Sequence, residues 1–371
     1  MSRGSRSSAG PDSRPSCLVT GIVSDYRREP FRMLGEDEGV EVVAFGEAGP
    51  PIPGLVVHRT TQVGAARLAA SGRYRAVTCG LGGRIALPGS YLGARLAGIP
   101  FILWATIWAH PRTAAHALSY LPTRHLYRHA DAVVTYGPHV SAYVTSQRRR
   151  GNVFEAPQAV SETFGAAVPS DEIAAARMRA GAGPDDPLVL FVGRLEREKG
   201  VHVLLEAFRL AELGPGAVLA LAGEGPLGQL VQDGNPGARL LGPLPREDLP
   251  PLYAAADVLV LPSIRTATFT EPWGLVVNEA MSQGTPVIAS DAVGAAAGGL
   301  LRHGQNGLVT PSGDPAALAE NLRAVCRDAE LRARLGRAAR ADVGPFSHAA
   351  WVDGMSRALA AVGASRRTGS C

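Results

Sequence analysis

Short apolar runs bounded by Gly, Pro and polar residues recur along this chain, and stretches with helical spacing lie between them. CLVTGIV (17–23), GVEVVAFG, RYRAVTCG, PFILWAT and AVVTYG read as strands of a first half, and NVFEAPQAV closes it. SDYRREPFRML reads as a loop and helix start, and 91–98 and the basic stretch 121–130 read as helices. A second alternation begins at LVLFVG. It runs through VHVLLEAFRLA, AVLALAG, PLGQLVQD, ARLLGPL, REDLPPLYAAA and DVLVLPS to PVIAS and GLVTP. Strands alternating with helices predict an α/β protein with parallel, doubly wound sheets, which bind ligands at the carboxyl ends of their strands. No repeat period is present, which excludes a solenoid.

The break between halves falls near 157–169. The predicted organisation is a disordered tail at 1–16, a first domain at 17–165, a second at 166–345 and a last helix at 346–363. The length of 371 residues suits two domains, and 46% hydrophobic with 19% charged residues is the balance of a soluble globular enzyme. Cys17, Cys79, Cys326 and Cys371 have no metal or redox spacing and fit reduced thiols of a cytoplasmic protein. The polar N-terminus lacks the apolar core of a signal peptide. The longest apolar run, IPFILWATIWA, has eleven residues and is too short to span a bilayer. A cytoplasmic location is therefore expected. Any membrane contact would be peripheral, at the inner face, with the Arg and His of PTRHLYRHA as one basic surface for lipid headgroups or an anionic acceptor. A solvated helix is the plainer reading of that surface.

The stretch EPWGLVVNEAMSQGTPVIAS (271–290) carries the strongest chemistry. Glu271 sits on a loop, Gly274 opens a helix, and Glu279 falls on its second turn. The two carboxylates are eight residues apart, roughly 12 Å at helical rise, too far to share a proton or a metal. They suit the two ends of one long polar ligand. The helix N-terminus between them, at Gly274, Leu275 and Val276, favours a phosphate. A nucleotide sugar has that layout. Two isolated glutamates would read as a capping acid and a solvated acid, but the flanking pattern goes further.

E271-PWGLVVN-E279-AMSQGTPVIAS resembles the donor-site motif of the retaining glycosyltransferases of family 4 (glycosyltransferase group 1), which have the GT-B fold. The likeness is strong over 187–325 and looser over 17–165. It implies two Rossmann-like domains facing each other across a cleft, the first on the acceptor side and the second binding the donor. The last helix would cross back onto the first domain, anchored by Trp351. Glu271 would meet the donor sugar and Glu279 the ribose. FVGRLEREKG (191–200) would place Arg194 and Lys199 on the donor diphosphate, next to Gly193. Lys199 is the one lysine in a chain of 37 basic residues, and Lys is not interchangeable with Arg where geometry matters. The family pattern also points to Leu244 and Pro245 near the base, and to His110 beside the donor sugar, with Arg112 and His116 as runners-up. The family's first-domain Gly-rich loop is replaced by SDYRREPFR, leaving Arg27 and Arg28 within reach of the phosphates.

No metal-ligand spacing, Walker loop or nucleic-acid motif is present. The resemblance implies a metal-independent enzyme with no resident cofactor. Its co-substrate would be a nucleoside-diphosphate sugar, and its acceptor a hydroxyl on an envelope glycan, glycolipid or small natural product. Reaction would retain the anomeric configuration, the leaving phosphate taking the acceptor proton. Gly223, Gly225 and Gly228 have G-x-G-x-x-G spacing, which taken alone suggests an NAD-dependent oxidoreductase. Their place late among the strands of the half points instead to a tight turn. A nucleotide-sugar epimerase of the same fold is the other alternative.

Overall fold

The computed structural model describes residues 12–110, 114–148, 151–234 and 236–366, with no side-chain description at 114–118 and 232–234. Most of the expected tail, Arg112 and the side chain of His116 lie outside what is described.

The first sheet holds β1 (Ser16–Thr20), β2 (Val40–Ala44), β3 (Val57–Arg59), β4 (Val77–Gly80), β5 (Phe101–Ala105), β6 (Ala132–Thr135) and β7 (Val153–Glu155), in the order β3-β2-β1-β4-β5-β6-β7. The second holds β8 (Leu188–Val192), β9 (Val218–Ala222), β10 (Ala238–Gly242), β11 (Val258–Leu261), β12 (Val287–Ser290) and β13 (Leu308–Thr310), in the order β10-β9-β8-β11-β12-β13. Every named pairing is parallel. The central strands FILWA, LVLF and VLALA are buried on both faces, as unbroken apolar runs require. Strand order reverses between β1 and β4 and between β8 and β11, so each sheet has one switch point. This is the two-domain GT-B plan that the sequence predicts.

Some elements escape the sequence pattern, helix Pro138–Gln147 among them. The edge strand β3 (VHR) is short and half-exposed, and helix Gln62–Ala69 has little apolar stripe. The glycine triplet follows β9, the second strand of its half, and not a late one. Its glycines serve loop packing. A Cβ on Gly223 would sit 1.9 Å from the Gly193 carbonyl, and one on Gly225 2.7 Å from that of Leu195. With φ of +145° and +151°, both positions favour glycine.

The last helix, His348–Ala361, lies on helix Asp25–Glu38 and on β6 and β7 of the first sheet. Its Trp351 is fully buried, with ring centroids 5.7 Å from Phe31 and 5.8 Å from Trp104. Gly354 permits the approach, since a Cβ there would meet the Glu155 carbonyl at 2.1 Å. Trp351→Ala is expected to cost about 3–5 kcal/mol. Chemical denaturation would show it, with the loss concentrated in the first domain.

Candidate functional site

The carboxyl ends of the two sheets meet. Trp108, after β5, donates Nε1–H to the Glu271 carbonyl at 3.1 Å. His139, after β6, lies 3.1 Å through Nε2 from the Pro272 carbonyl. The loop 262–274 after β11 is thus held by both domains.

Glu271 lies at the second sheet's switch point. Lys199, which follows β8, places Nζ 2.5 Å from Glu271 Oε2, and Ser263, just after β11, donates to the same oxygen at 3.1 Å. Both charged side chains are largely buried, 15% and 8% exposed, so solvent screens the pair little. Two backbone features hold the lysine. Gly200 is left-handed (φ +73°), and a Cβ there would strike the Pro262 carbonyl at 2.0 Å. The Glu198 carbonyl accepts from Ile264 N–H at 2.9 Å, tying the two loops. The ammonium also sits 5.2 Å from the centroid of Phe269.

Gly274 opens helix Leu275–Ser282 at φ +91°, and a Cβ there would lie 2.5 Å from the Leu261 side chain. Leu275 and Val276 occupy the first turn and are half-exposed, so their N–H groups form the open helix end. Trp273 Nε1–H donates to Asn278 Oδ1 at 2.7 Å, and Asn278 Nδ2–H donates to the Gln158 carbonyl at 3.1 Å. That buried bond fastens the helix to the segment joining the domains.

Glu279 is buried. It accepts from the Tyr253 hydroxyl at 2.6 Å and has Arg246 NH2 3.3 Å from its other oxygen. Burial raises its pKa, against the opposing pull of Tyr253 and Arg246. Burial and the neighbouring Glu279 push the Tyr253 hydroxyl up as well. Arg246 stacks 4.6 Å from the Phe164 ring centroid. Arg194 is exposed and turned onto its own loop, 2.5 Å from Glu196 and 3.5 Å from Glu198. A cavity of about 290 Å³ opens at the ends of β8, β9 and β10, lined by Gly193, Arg194, Gly223, Leu244 and Leu249.

The residues named from sequence therefore fall into three groups. Lys199, Glu271 and the Gly274 helix end share one place. Gly193, Arg194 and Leu244 share the adjoining cavity, and Glu279, on the second turn of the helix, is held in a Tyr253–Arg246 clasp. His110 packs on Tyr120, with centroids 5.1 Å apart; on the same loop, Trp108 makes the Glu271 contact. Arg28 is turned away, donating to the carbonyls of Pro50 and Pro51 at 3.0 Å each. Sequence reasoning passed over Ser263, Trp108, Tyr253 and Arg246. Ser263 ends DVLVLPS, and Arg246 and Tyr253 lie in the segment already read as base-proximal, so position was their only signal. Among the described residues no group of three or more His, Cys, Asp or Glu is gathered as a metal site.

Residues 173–342 match the family model described as Glycosyl transferases group 1. The lipopolysaccharide core biosynthesis glycosyltransferase LpsE of Rhizobium meliloti is 34% identical over 193 residues, covering 51% of this chain and 54% of that protein. A D-inositol 3-phosphate glycosyltransferase of Nocardia farcinica is 35% identical over 204 residues (51% and 43%), and a glycogen synthase of Mycobacterium tuberculosis 38% over 172 (44% and 39%). The matches thus span about half or less of these curated relatives. The fold extends over nearly the whole chain. HepE of Anabaena, solved with UDP and glucose, superposes with a TM-score of 0.75 at 19% identity, covering 94% of this chain and 99% of that one. WaaG, a glycosyltransferase involved in lipopolysaccharide biosynthesis, gives 0.71 at 15% (94% and 100%).

Burial holds the His139 pKa below the ordinary imidazole value of about 6.5, partly opposed by the Pro272 carbonyl. As pH falls through that value the unfolded state binds more protons than the folded one, so stability drops toward pH 5 and is level above neutrality. His139→Gln keeps a donor for Pro272 without a titrating ring. Its melting temperature should fall less steeply from pH 7 to 5. His348, pushed down by its own burial, retains part of the slope.

Proposed function

Because residues 173–342 match the family model described as Glycosyl transferases group 1, we propose that this chain is a retaining, metal-independent glycosyltransferase. It moves a sugar from a nucleoside diphosphate to an acceptor hydroxyl. The observation that carries the reading is the Lys199–Glu271 pair set at the mouth of the Gly274 helix end. A fixed ammonium and open backbone N–H groups suit a diphosphate, and a carboxylate held on that ammonium suits sugar hydroxyls. HepE, solved with UDP-glucose, has the same fold, which supports a nucleotide-sugar donor.

On this reading the base lies in the cavity beside Gly193 and Leu244. Glu279 takes the ribose, exchanging part of its clasp with Arg246 for the diol. Lys199, Arg194 and the N–H groups of Leu275 and Val276 stabilise charge as it develops on the leaving diphosphate, where fixed cations count most in the transition state. Glu271 holds the sugar, and His110 closes on it from the first domain. The anomeric carbon–oxygen bond to phosphate breaks, and the acceptor oxygen bonds on the same face. The acceptor proton passes to the leaving phosphate.

The acceptor side favours a peripheral membrane contact at the inner face. Residues 48–130 contain nine Arg and no Asp or Glu. On helices Ala86–Leu96 and Ala114–His129, Leu92, Leu96 and Leu121 are 58%, 84% and 68% exposed beside Arg95, Arg124 and Arg128. Exposed leucines among arginines suit an anionic bilayer surface. Among the described residues no helix is long and apolar enough to cross a membrane. Co-sedimentation with phosphatidylglycerol vesicles is expected at low salt, and not with phosphatidylcholine alone. Leu92→Glu/Leu96→Glu should abolish it; equal retention by the variant would refute the contact.

A panel of UDP-, GDP- and dTDP-sugars tests the chemistry. One donor is expected to raise the melting temperature and to be turned over. Lys199→Ala should remove most of the donor-induced shift and lower kcat about 10²–10³-fold. The shift, not the absolute melting temperature, is the readout, because the variant also strips Glu271 of its cation. A response to NAD and to none of the sugars would sink the reading.

A further inference from the structure

The first sheet has its own switch point, and a pocket of about 280 Å³ opens there. Gly21 and Ile22 after β1, Gly82 after β4, Trp104 and Tyr136 line it. Among the described residues that line it, Arg27 is the only charged one.

Arg27 is 4% exposed. Four rings surround its guanidinium carbon: Trp104 at 4.7 Å, Tyr26 at 5.1 Å, Trp351 at 5.3 Å and Tyr136 at 5.4 Å from their centroids. One NH2 donates to Gln158 Oε1 at 2.8 Å. Among the described residues it has no ion pair. A guanidinium stays charged in a protein, and removing it from water is costly without a counter-charge. Aromatic faces offset part of that cost. If Arg27 served only to hold the Trp351 helix, a neutral side chain of similar length would do so without the desolvation. None of its nitrogens is both sealed and unpartnered; the Tyr136 hydroxyl lies beside the guanidinium, and both side chains line the pocket. Helix Asp25–Glu38 begins at the same wall, with Ser24 and Tyr26 lining it, and adds the positive end of its dipole.

We propose that this pocket binds an anionic group of the acceptor, a phosphate or a carboxylate, through charge-assisted hydrogen bonds from Arg27. The proposal rests on the transferase reading and names the acceptor class for it. The pocket lies wholly within the first domain, across the cleft from Lys199 and Glu271. An anion seated there would hold its own hydroxyl toward the donor sugar. The donor's diphosphate is the other source of the same chemistry, reached if the domains close further.

Calorimetric titration of the full-length chain with inorganic phosphate tests the pocket. Saturable binding is expected, weakened tenfold or more in Arg27→Met and restored in part by Arg27→Lys. Gly82→Val narrows the pocket without touching the aromatic stack, since a Cβ at Gly82 meets only Phe45, at 4.0 Å. It should weaken phosphate equally, which separates binding from the packing role of Arg27. No saturable binding, or unchanged affinity in both variants, overturns the pocket. A second titration with UDP, GDP and dTDP distinguishes the sources. The acceptor assignment predicts that the preferred nucleotide binds Gly82→Val as tightly as wild type and does not displace phosphate. Displacement, or parallel loss, gives the anion to the donor and overturns the assignment. Phosphate binding without any nucleotide binding would instead mark failure of the transferase reading, and the acceptor assignment falls with it.

Discussion

The contact on which the site depends is the ion pair between the chain's one lysine and Glu271. Its partners come from different strands of a parallel sheet, β8 and β11, which are sequence-distant but adjacent because the strand order reverses between them. A parallel sheet leaves a crevice at such a reversal. Here a 3.1 Å bond from Ser263, the left-handed turn at Gly200 and the Ile264–Glu198 backbone bond keep that crevice narrow. A compact ammonium makes this contact in a chain that otherwise uses arginine.

The two halves use the same topology for different chemistry. At the second switch point the cation is paired with a carboxylate and lies beside an open helix end. At the first, the buried cation is enclosed by aromatic rings and faces a pocket without any acid. A buried polar connection joins them: Arg27 to the Gln158 side chain, the Gln158 carbonyl to Asn278, and Asn278 to Trp273. Asn278 lies on the helix that carries Glu279, so both sites are tied to the segment that joins the domains. Trp351 adds the last helix to the same junction, stacking on Trp104 and contributing a face to Arg27.

Much of this was legible in the residue order. The alternation of apolar runs with helical stretches announces two parallel sheets, because strands buried on both faces must be continuously apolar. Glu271, Gly274 and Glu279 point by their spacing to the nucleotide-sugar site proposed above, because a long polar ligand suits carboxylates at its two ends and a helix end between them, and the family resemblance adds the FVGRLEREKG segment. The misplaced reading was the rank of the glycine triplet, which follows the second strand of its half. Its spacing matched a dinucleotide turn, yet Gly223 and Gly225 are explained by two loop backbones closing to 1.9 and 2.7 Å of where a Cβ would stand.

Local pattern therefore determined most of the elements and the two alternating halves, since these follow from periodicity along the chain, and the family resemblance singled out the charged groups. Tertiary structure alone decided which groups meet. Lys199 and Glu271 are 72 residues apart in sequence, Trp108 and Glu271 are 163 apart, and Arg27 and Gln158 are 131 apart. No spacing rule reaches over such intervals, because strand order and the apposition of the two sheets set those distances. The clasp on Glu279 and the acid-free aromatic enclosure of Arg27 exist only once the sheets and the last helix have packed.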